Sequence, residues 1–446
     1  MLFFFRFGLA GTLATIFLTA CLTTDNAFTR VAPGVWRGVL ELEKFSIPVR
    51  DKDTIFTLKE QFKPNELPFN FEVKYLDDEQ FYVEIINGSE RIRCDSIRYG
   101  RNRATARDTF NIYFPEYASY IHADVRGGAM QGEWVVTTKE NYRIPFYANA
   151  GRDYRFTSLN EKPAADLSGS WATLFGIDTD EREKAVGEFQ QTGNHLEGTF
   201  RTETGDYRFL EGTVQGRKFW LSCFDGAHAY LFSGNIHADT LQGEFRSGSH
   251  YSTLWTAWRD PGFQLGNPDS MTVLKAGAPP IAFSLPAPDG KTISFPSAAE
   301  DGKIKIFTIM GTWCPNCRDE QKFLVEYLKQ HPDRTDKITV YGFAFERHKD
   351  VREANAHLRT YKKQMGIPFE LLYAGKANKD EAGRLFPALS EIAAFPTMMI
   401  LDKQNLVRRI HTGFDGPATS KYADFTQSFD DLITRLLREE AGKKQN

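Results

Sequence analysis

The sequence predicts a multidomain chain in which a duplicated antiparallel β region precedes an α/β domain. Short stretches of alternating apolar and polar residues fill residues 31–260 and are bounded by Gly, Asn or Asp, which is typical of antiparallel strands with one buried face. Motifs recur between the two halves of that region. After residue 276, apolar strands alternate with amphipathic helices, which indicates an α/β domain.

Length and charge agree with this organisation. The chain has 446 residues, which is too long for one ordinary domain. Its net charge is -3 and no block of like charge stands out, so we expect no nucleic-acid partner. The predicted units are a signal peptide at 1–20, a tether at 21–30, a first β-rich repeat at 31–150, a linker at 151–168, a second β-rich repeat at 169–260, a linker at 261–275 and the α/β domain at 276–446.

The N-terminus is predicted to be an export signal. One early charge, Arg6, precedes an apolar run over residues 7–18, which is short for a transmembrane helix. The run ends in Leu-Thr-Ala-Cys at 18–21, which resembles the bacterial lipobox. The resemblance implies lipidation of Cys21 and a protein anchored in the cell envelope, facing the periplasm. An ordinary signal peptide or an uncleaved anchor is the alternative, and it also implies export.

The β region repeats itself. Each half opens with a tryptophan close to a glycine, Trp36 in the first half and Trp171 in the second. The sequence Ile-His-Ala-Asp, followed by Gln-Gly-Glu, occurs around His122 and around His237, which we interpret as equivalent structural positions just before a turn. The second half contains about eight strands, which predicts a barrel or a sandwich. A ligand site inside the barrel is an alternative to the favoured role as a spacer or docking unit.

The motif Cys314-x-x-Cys317 lies between an apolar strand predicted at 304–310 and an amphipathic helix. At a helix N-terminus, free N–H groups and the helix dipole favour the thiolate of the first cysteine, which is the form that attacks disulfides. The second cysteine lies about one turn further on, where it can break the mixed disulfide. Half of a zinc site and a structural disulfide are the alternatives, but the sequence has no further Cys-x-x-Cys and no His pair at metal spacing. We therefore expect a redox-active pair and no metal or other cofactor.

The remaining elements of this domain surround the motif. We predict a hairpin at 279–295, strands at 337–345, 369–373, 397–401 and 406–412, and helices at 351–365, 380–389 and 422–440. Strands alternating with helices, followed by a closing hairpin and helix, predict an α/β sandwich with a mixed central sheet.

Two further cysteines, Cys94 and Cys223, are far apart in the sequence. They could pair in an exported protein, or each could be a small buried apolar residue. Because Cys223 lies in an apolar stretch at 219–224 that is typical of a strand interior, we favour two buried thiols.

The C-terminal domain resembles the thioredoxin-like thiol–disulfide oxidoreductases of the TlpA/ResA type. The resemblance rests on four features in the expected order: the N-terminal hairpin, Trp313-Cys314-Pro315-Asn316-Cys317, the helical insertion and Phe395-Pro396-Thr397. It implies a thioredoxin-like fold and a cis-proline at Pro396 opposite the cysteines, which leaves neighbouring backbone free to pair with a substrate peptide. Phe395, Thr397, Pro315 and Asn316 are accordingly expected at the substrate-binding face. An ordinary trans proline at a strand start is the alternative for Pro396.

The resemblance also implies roles for two flanking residues. Glu320 lies three residues after Cys317 on the same helical face and matches a family glutamate that tunes thiol acidity and carries protons. A solvated first-turn glutamate is the alternative. Trp313 is expected to pack beside the thiols and to shape the docking face.

The chain departs from the family in its Pro-Asn dipeptide between the cysteines, which leaves the direction of electron flow open, and in its β-rich half. The combination of a lipobox, a β-rich region and a redox domain resembles TlpA-like lipoproteins of the Bacteroidetes type. It implies a protein disulfide reductase in which Cys314 attacks protein substrates, Cys317 resolves, and a membrane electron-transfer protein restores the dithiol.

Two alternatives remain at this point. A thiol peroxidase of the peroxiredoxin type would require a threonine three residues before its reactive cysteine, where this chain has Gly311. The non-enzymatic alternative is a binding lipoprotein whose β repeats hold a ligand or partner. Activity of the C-terminal domain, or a ligand bound to the β region, would distinguish these hypotheses.

Overall fold

The computed structural model describes residues 30–42, 63, 65–103, 105–348 and 350–439. The predicted signal peptide and the proposed lipidation site Cys21 lie outside the described residues. Within the described ranges, the chain forms a nine-stranded sheet, a closed eight-stranded barrel and a C-terminal α/β domain. No helix in these ranges is long and apolar enough to span a membrane.

The first β-rich unit is an antiparallel meander whose first and last strands pair. Its order is β4-β3-β2-β1-β9-β8-β7-β6-β5, so the two edge strands follow each other in the chain. Alternating buried aromatic and aliphatic side chains fill its inner face. The strands are β1 (Gly34–Glu41), β2 (Glu66–Tyr75), β3 (Phe81–Asn87), β4 (Glu90–Cys94), β5 (Ile97–Asn102), β6 (Arg107–Phe114), β7 (Ser119–Arg126), β8 (Ala129–Val136) and β9 (Arg143–Ala150).

The second unit is a closed barrel of eight strands, as the strand count of the sequence predicted. Its first strand pairs with both the second and the last strand, which closes the sheet. Packed aromatic rings fill the interior, with Phe200 4.7 Å from Phe232 and 5.3 Å from Trp255 between ring centroids. The strands are β10 (Gly169–Phe175), β11 (Glu183–Thr192), β12 (His195–Thr202), β13 (Leu210–Gln215), β14 (Lys218–Phe224), β15 (Ala229–His237), β16 (Thr240–Ser247) and β17 (Tyr251–Trp258).

The tryptophans of the two β units occupy matching positions. Trp36 and Trp171 are each the third residue of the first strand of their unit. Each indole N–H donates to a carbonyl four residues earlier, Ala32 at 2.9 Å and Leu167 at 2.8 Å. In both units a tryptophan side chain therefore fixes the segment that leads into the first strand.

The two histidines of the repeat do not match. His122 lies within β7 opposite Glu133, whereas His237 is the last residue of β15, directly before the turn. The prediction that both precede a turn is therefore wrong for His122. The first hairpin turns later in the chain, at Gly127 and Gly128. Both glycines adopt the positive φ that a tight hairpin turn requires.

The C-terminal domain is built on a five-stranded mixed sheet. Its order is β22-β21-β20-β23-β24, with β20 central and buried along its whole length. Helices α1, α2 and α4 share one hydrophobic core, whereas α3 and the N-terminal hairpin belong to a second core. The elements are β18 (Phe283–Pro286), β19 (Thr292–Phe295), β20 (Ile304–Met310), α1 (Pro315–Gln330), β21 (Ile338–Glu346), α2 (Val351–Gln364), β22 (Glu370–Lys376), α3 (Lys379–Leu385), β23 (Thr397–Leu401), β24 (Val407–Thr412) and α4 (Tyr422–Arg438).

Helix α3 is shorter than the predicted helix at 380–389. It ends at Leu385, and Phe386 and Pro387 follow. A proline donates no backbone hydrogen bond and disfavours helical geometry in the residue before it, so the helix stops ahead of Pro387.

The segment predicted as a linker at 261–275 is attached to the C-terminal domain. Asp269 Oδ2 accepts a hydrogen bond from Arg409 Nε at 2.9 Å, and Asp269 Oδ1 lies 2.6 Å from His411 Nδ1. Leu274 forms an antiparallel bridge with Leu389. This segment therefore lacks regular strands or α-helix but is held in place.

The two β units also share a core. Phe69 of the first unit and Phe224 of the barrel have ring centroids 4.5 Å apart. The buried Arg155, in the segment between the units, donates to Ile86 of the first unit and to Glu211 of the barrel. Cys94 and Cys223 are both buried and free, in agreement with the favoured prediction.

Candidate redox site

The Cys314-x-x-Cys317 motif forms the start of α1. Cys314 is the N-cap residue, and its Sγ accepts a hydrogen bond from the backbone N–H of Cys317 at 3.3 Å. Pro315 occupies the first turn, where a missing N–H costs nothing. Both thiols are free, with Cys314 4% exposed and Cys317 fully buried. The two cysteines therefore lie at the start of a helix as predicted, and Cys314 is slightly exposed whereas Cys317 is sealed.

The loop before β23 lies against the sulfur of Cys314. The Phe395–Pro396 peptide bond is cis, in agreement with the resemblance. The carbonyl oxygen of Phe395 accepts a hydrogen bond from Cys314 Sγ at 3.6 Å. Thr397 is fully buried and its hydroxyl donates to the carbonyl of Ala394, so its side chain does not reach the surface.

Trp313 shapes the mouth of the site. Its indole N–H donates to the carbonyl of Phe345 at 2.8 Å. Its ring packs edge-on against Phe395, with ring centroids 5.6 Å apart, and the Arg347 guanidinium lies 4.0 Å from the ring centroid. Trp313 and Phe395 are both half-buried, so an aromatic surface flanks Cys314.

Glu320 is fully buried on α1, and neither carboxylate oxygen has a hydrogen-bond partner. Burial, with the nearby charge of Cys314, raises the pKa of Glu320 well above its usual range. The alternative of a solvated first-turn glutamate is therefore wrong. Burial and the neighbouring Cys314 also raise the pKa of the Cys317 thiol. A buried titratable carboxyl group thus lies three residues along α1 from the sealed thiol, on the same face of the helix.

A second buried carboxylate, Glu346, fixes the loop ahead of Trp313, and sequence reasoning missed it. Glu346 Oε1 accepts from the Thr312 backbone N–H at 2.9 Å, and Oε2 accepts from the Thr312 hydroxyl at 2.8 Å. His357 Nε2 lies 3.1 Å from the same hydroxyl. Burial is the main cause that lowers the pKa of His357 to about 4. A glutamate at the end of an otherwise apolar strand was the signal available in the sequence.

The barrel reaches the other side of the motif. The side-chain oxygen of Asn316 accepts a hydrogen bond from the backbone N–H of Asp206 at 3.3 Å. Arg208 donates to Asp319 on α1 at 2.8 Å, and both side chains are buried. Asn316, which was predicted to face a substrate, therefore contacts the barrel instead, whereas Pro315 is half-buried at the surface. No local pattern could have shown these long-range contacts.

The described residues contain no group of three or more His, Cys, Asp or Glu side chains arranged to hold a metal ion. The groups present at the site are two thiols, the buried carboxyl groups of Glu320 and Glu346, and backbone N–H groups.

Residues 276–410 match the AhpC/TSA family. The C-terminal region thus carries an AhpC/TSA-family domain with a thioredoxin-like fold. The match begins after the β-rich units and includes both cysteines and Pro396. No curated protein is similar enough to the chain to count as a match.

Solved structures match over little more than a third of the chain. A thioredoxin-family thiol:disulfide interchange protein from Chlorobium tepidum TLS is 25% identical, over 36% of this chain and 96% of that chain, with a TM-score of 0.27. A DsbF homologue from Corynebacterium diphtheriae is 21% identical over 38% and 99%, with a TM-score of 0.28. A thiol-disulfide oxidoreductase from Bacteroides fragilis NCTC 9343 is 16% identical over 35% and 98%, with a TM-score of 0.26.

Proposed function

We propose that the protein is a membrane-anchored, extracytoplasmic disulfide reductase that uses Cys314 and Cys317 as its dithiol. The observation that carries the proposal is the place of Cys314 at the N-cap of α1, with the N–H of Cys317 directed at its sulfur. Such a donor and the helix dipole stabilise negative charge on sulfur. Cys317 lies beneath it on the same turn, where a resolving thiol is needed.

In the first half-reaction, Cys314 Sγ attacks one sulfur of a substrate disulfide. An S–S bond forms between Cys314 and the substrate, the substrate disulfide breaks, and the departing sulfur takes a proton from water. The half-buried rings of Trp313 and Phe395 flank the attacking sulfur and would support the substrate polypeptide. The Phe395 carbonyl, which contacts Cys314 Sγ in the dithiol state, keeps the thiol on this face.

In the second half-reaction, Cys317 Sγ attacks Cys314 Sγ and releases the second substrate sulfur. Cys317 must first lose a proton, which is unfavourable because burial raises the pKa of that thiol. Glu320 in its ionised form accepts this proton and passes it towards the departing thiolate. The substrate gains two electrons and two protons, and Cys314–Cys317 becomes the disulfide.

The oxidised pair then needs a reductant, for which we propose a membrane electron-transfer protein. An anchor at Cys21 would keep the redox domain at the same membrane as this donor. We also propose the domain boundaries that the sequence predicts, in which the redox domain at 276–446 follows two β-rich units.

Trapping of mixed disulfides tests this function. The variant Cys317→Ser forms the mixed disulfide but cannot resolve it, so it should accumulate covalent partners in intact cells. The double variant Cys314→Ser/Cys317→Ser is the matched control and should accumulate none. Equal recovery from both variants would show that Cys314 does not attack disulfides. Purified wild-type protein should also reduce insulin disulfides with dithiothreitol, and rapid hydrogen peroxide consumption instead would favour the peroxidase hypothesis.

The reduction potential of the pair tests the direction of electron flow. Equilibration with glutathione or dithiothreitol buffers should give a value near or below that of thioredoxin, about -270 mV. A value near that of the strong oxidant DsbA, about -120 mV, would assign the protein to disulfide formation.

We further propose that the two β units arose by duplication. The equivalent indole hydrogen bonds of Trp36 and Trp171 support this origin. The Gln-Gly-Glu sequence, which occupies the third to fifth positions of both β8 and β16, supports it as well.

A further inference from the structure

The turn that joins β12 to β13 of the barrel, residues 202–206, packs directly on the redox domain. Gly205 lies so close to Asn316 that a Cβ added at Gly205 would be 1.9 Å from Asn316 Nδ2. A Cβ added at Gly413 of the redox domain would be 2.7 Å from the backbone of Thr204. The backbone of Gly413 therefore meets the backbone of Thr204, and the backbone of Gly205 meets the side chain of Asn316.

Hydrogen bonds hold this turn in one position. The buried Asp206 carboxylate accepts from the Gly416 N–H at 2.7 Å and from the Arg208 N–H at 2.6 Å. The Arg208 guanidinium, 1% exposed, donates in turn to Asp319 on α1. The turn is thus tied to the loop after β24 and to the first turns of the redox helix, so it cannot swing aside without breaking buried polar contacts.

The turn is next to the reactive sulfur. Asn316 is two residues from Cys314, and the Gly413 N–H donates to the carbonyl of Pro396 at 2.8 Å. The residue before that proline is Phe395, whose carbonyl contacts Cys314 Sγ. The contacts of the turn at Asn316 and Gly413 therefore cover one side of the surface around Cys314.

Half-buried residues also surround Cys314. Trp313 and Pro315 adjoin it in the chain, Phe395 contacts its sulfur, and Arg347 is exposed over the Trp313 ring. A small disulfide needs less of this surface than a polypeptide does. A polypeptide that extends across Asn316 and Gly413 would collide with Thr204 and Gly205.

We propose that the 202–206 turn determines substrate specificity by excluding polypeptides that need the Asn316–Gly413 side of the surface. The substrates that fit are small disulfides and disulfides on narrow, protruding loops of proteins. This inference rests on the proposed reductase function and adds a role for the barrel, which selects substrates by covering part of the site.

Two variants of the turn test it, with insulin as the polypeptide disulfide and 5,5′-dithiobis(2-nitrobenzoate) as the small one. Asp206→Ala releases the turn and should raise kcat/KM for insulin about fivefold relative to the small disulfide. Thr204→Trp adds bulk at a half-buried surface position and should lower the same ratio about fivefold. Because each variant is compared through a ratio, a general loss of active protein cancels.

Matched controls change turns at the other end of the barrel. Asn194→Ala removes a side chain that fixes its own turn through the carbonyls of Glu161 and Val214, and Thr240→Trp adds the same bulk elsewhere. Both controls should leave the ratio within twofold of wild type.

The possible outcomes distinguish a failure of the specificity role from a failure of the proposed reductase function. If neither turn variant changes the ratio, or if the changes have the opposite signs, the specificity role is overturned. If Asp206→Ala does not fold, as a thermal melt would show, Thr204→Trp alone decides. If wild-type protein reduces neither disulfide, the proposed reductase function fails, independently of the turn.

Discussion

The guanidinium of Arg208 in the barrel donates a hydrogen bond to the carboxylate of Asp319 on the redox helix at 2.8 Å, and both side chains are buried. Arg208 also pairs with Glu90 of the first β unit and with Asp225 of the barrel. One cation therefore joins all three units of the chain, with carboxylates on each of them.

Removal of this cation should destabilise the whole protein. In Arg208→Met, Asp319 would remain buried without its cation and Asp225 would keep only His228 as an ionic partner, so we expect a loss of about 3–5 kcal/mol in the free energy of unfolding. Urea denaturation followed by tryptophan fluorescence measures it. The control Arg101→Met removes an exposed pair with Asp108 and should change stability by no more than about 0.5 kcal/mol. Equal effects of the two variants would contradict a central role for Arg208.

Glu320 should make stability depend on pH. Because burial raises the pKa of Glu320 in the folded state, the folded protein binds a proton that the unfolded chain releases above about pH 4.5. The contribution of Glu320 to the free energy of unfolding should therefore be highest below that pH and should fall as the pH rises, until the folded-state pKa is passed. Glu320→Gln removes this dependence and should gain stability over wild type at pH 7.5.

The contribution of Glu320 is isolated by the difference in the free energy of unfolding between wild type and Glu320→Gln, measured at pH 4.5 and at pH 7.5. Glu326→Gln changes an exposed glutamate on the same helix and should leave this difference near zero. If Glu320→Gln also shows no change between the two pH values, Glu320 is not protonated preferentially in the folded state.

Glu346 should position the active-site loop. In Glu346→Ala the Thr312 N–H and hydroxyl lose their acceptors, so we expect a loss of about 1–3 kcal/mol in stability and slower attack by Cys314. The rate of alkylation of Cys314 by iodoacetamide in a Cys317→Ser background measures the attack. Thr312→Val removes one of the two hydrogen bonds and should have a smaller effect. A stability loss without any change in alkylation would limit Glu346 to a purely structural role.

Asp269 should protect the segment between the barrel and the redox domain from proteolytic cleavage. Its hydrogen bonds to Arg409 and His411 hold residues 261–275 against β24, so Asp269→Ala should increase the rate of proteolytic cleavage there several-fold. Limited trypsin digestion with mass spectrometry of the fragments measures this rate. Asp260→Ala, which removes only a local bond to the Gly262 N–H, serves as the control. Equal cleavage rates would mean that Leu274 and its neighbours hold the segment without Asp269.

Local patterns predicted much of the architecture. The strand before the motif was predicted at 304–310 and observed as Ile304–Met310, and the strand after Pro396 was predicted at 397–401 and observed as Thr397–Leu401. These strands are mostly apolar and buried along their whole length, so their hydrophobicity indicates where they begin and end. The repeat around His122 and His237 was less informative, because turn geometry shifted the two hairpins relative to the shared sequence.

The sequence by itself determined the redox pair at the start of a helix, the succession of strands and helices around it and the number of strands in the barrel. These features depend on spacing and periodicity between near neighbours. Only the tertiary structure decided that Glu320 is sealed from solvent, that Asn316 contacts Gly205 and Asp206, and that Arg208 pairs with Asp319. The physical reason is that burial and ion pairing depend on which distant surfaces meet, and contacts between residues more than a hundred positions apart leave no periodic signal in the chain.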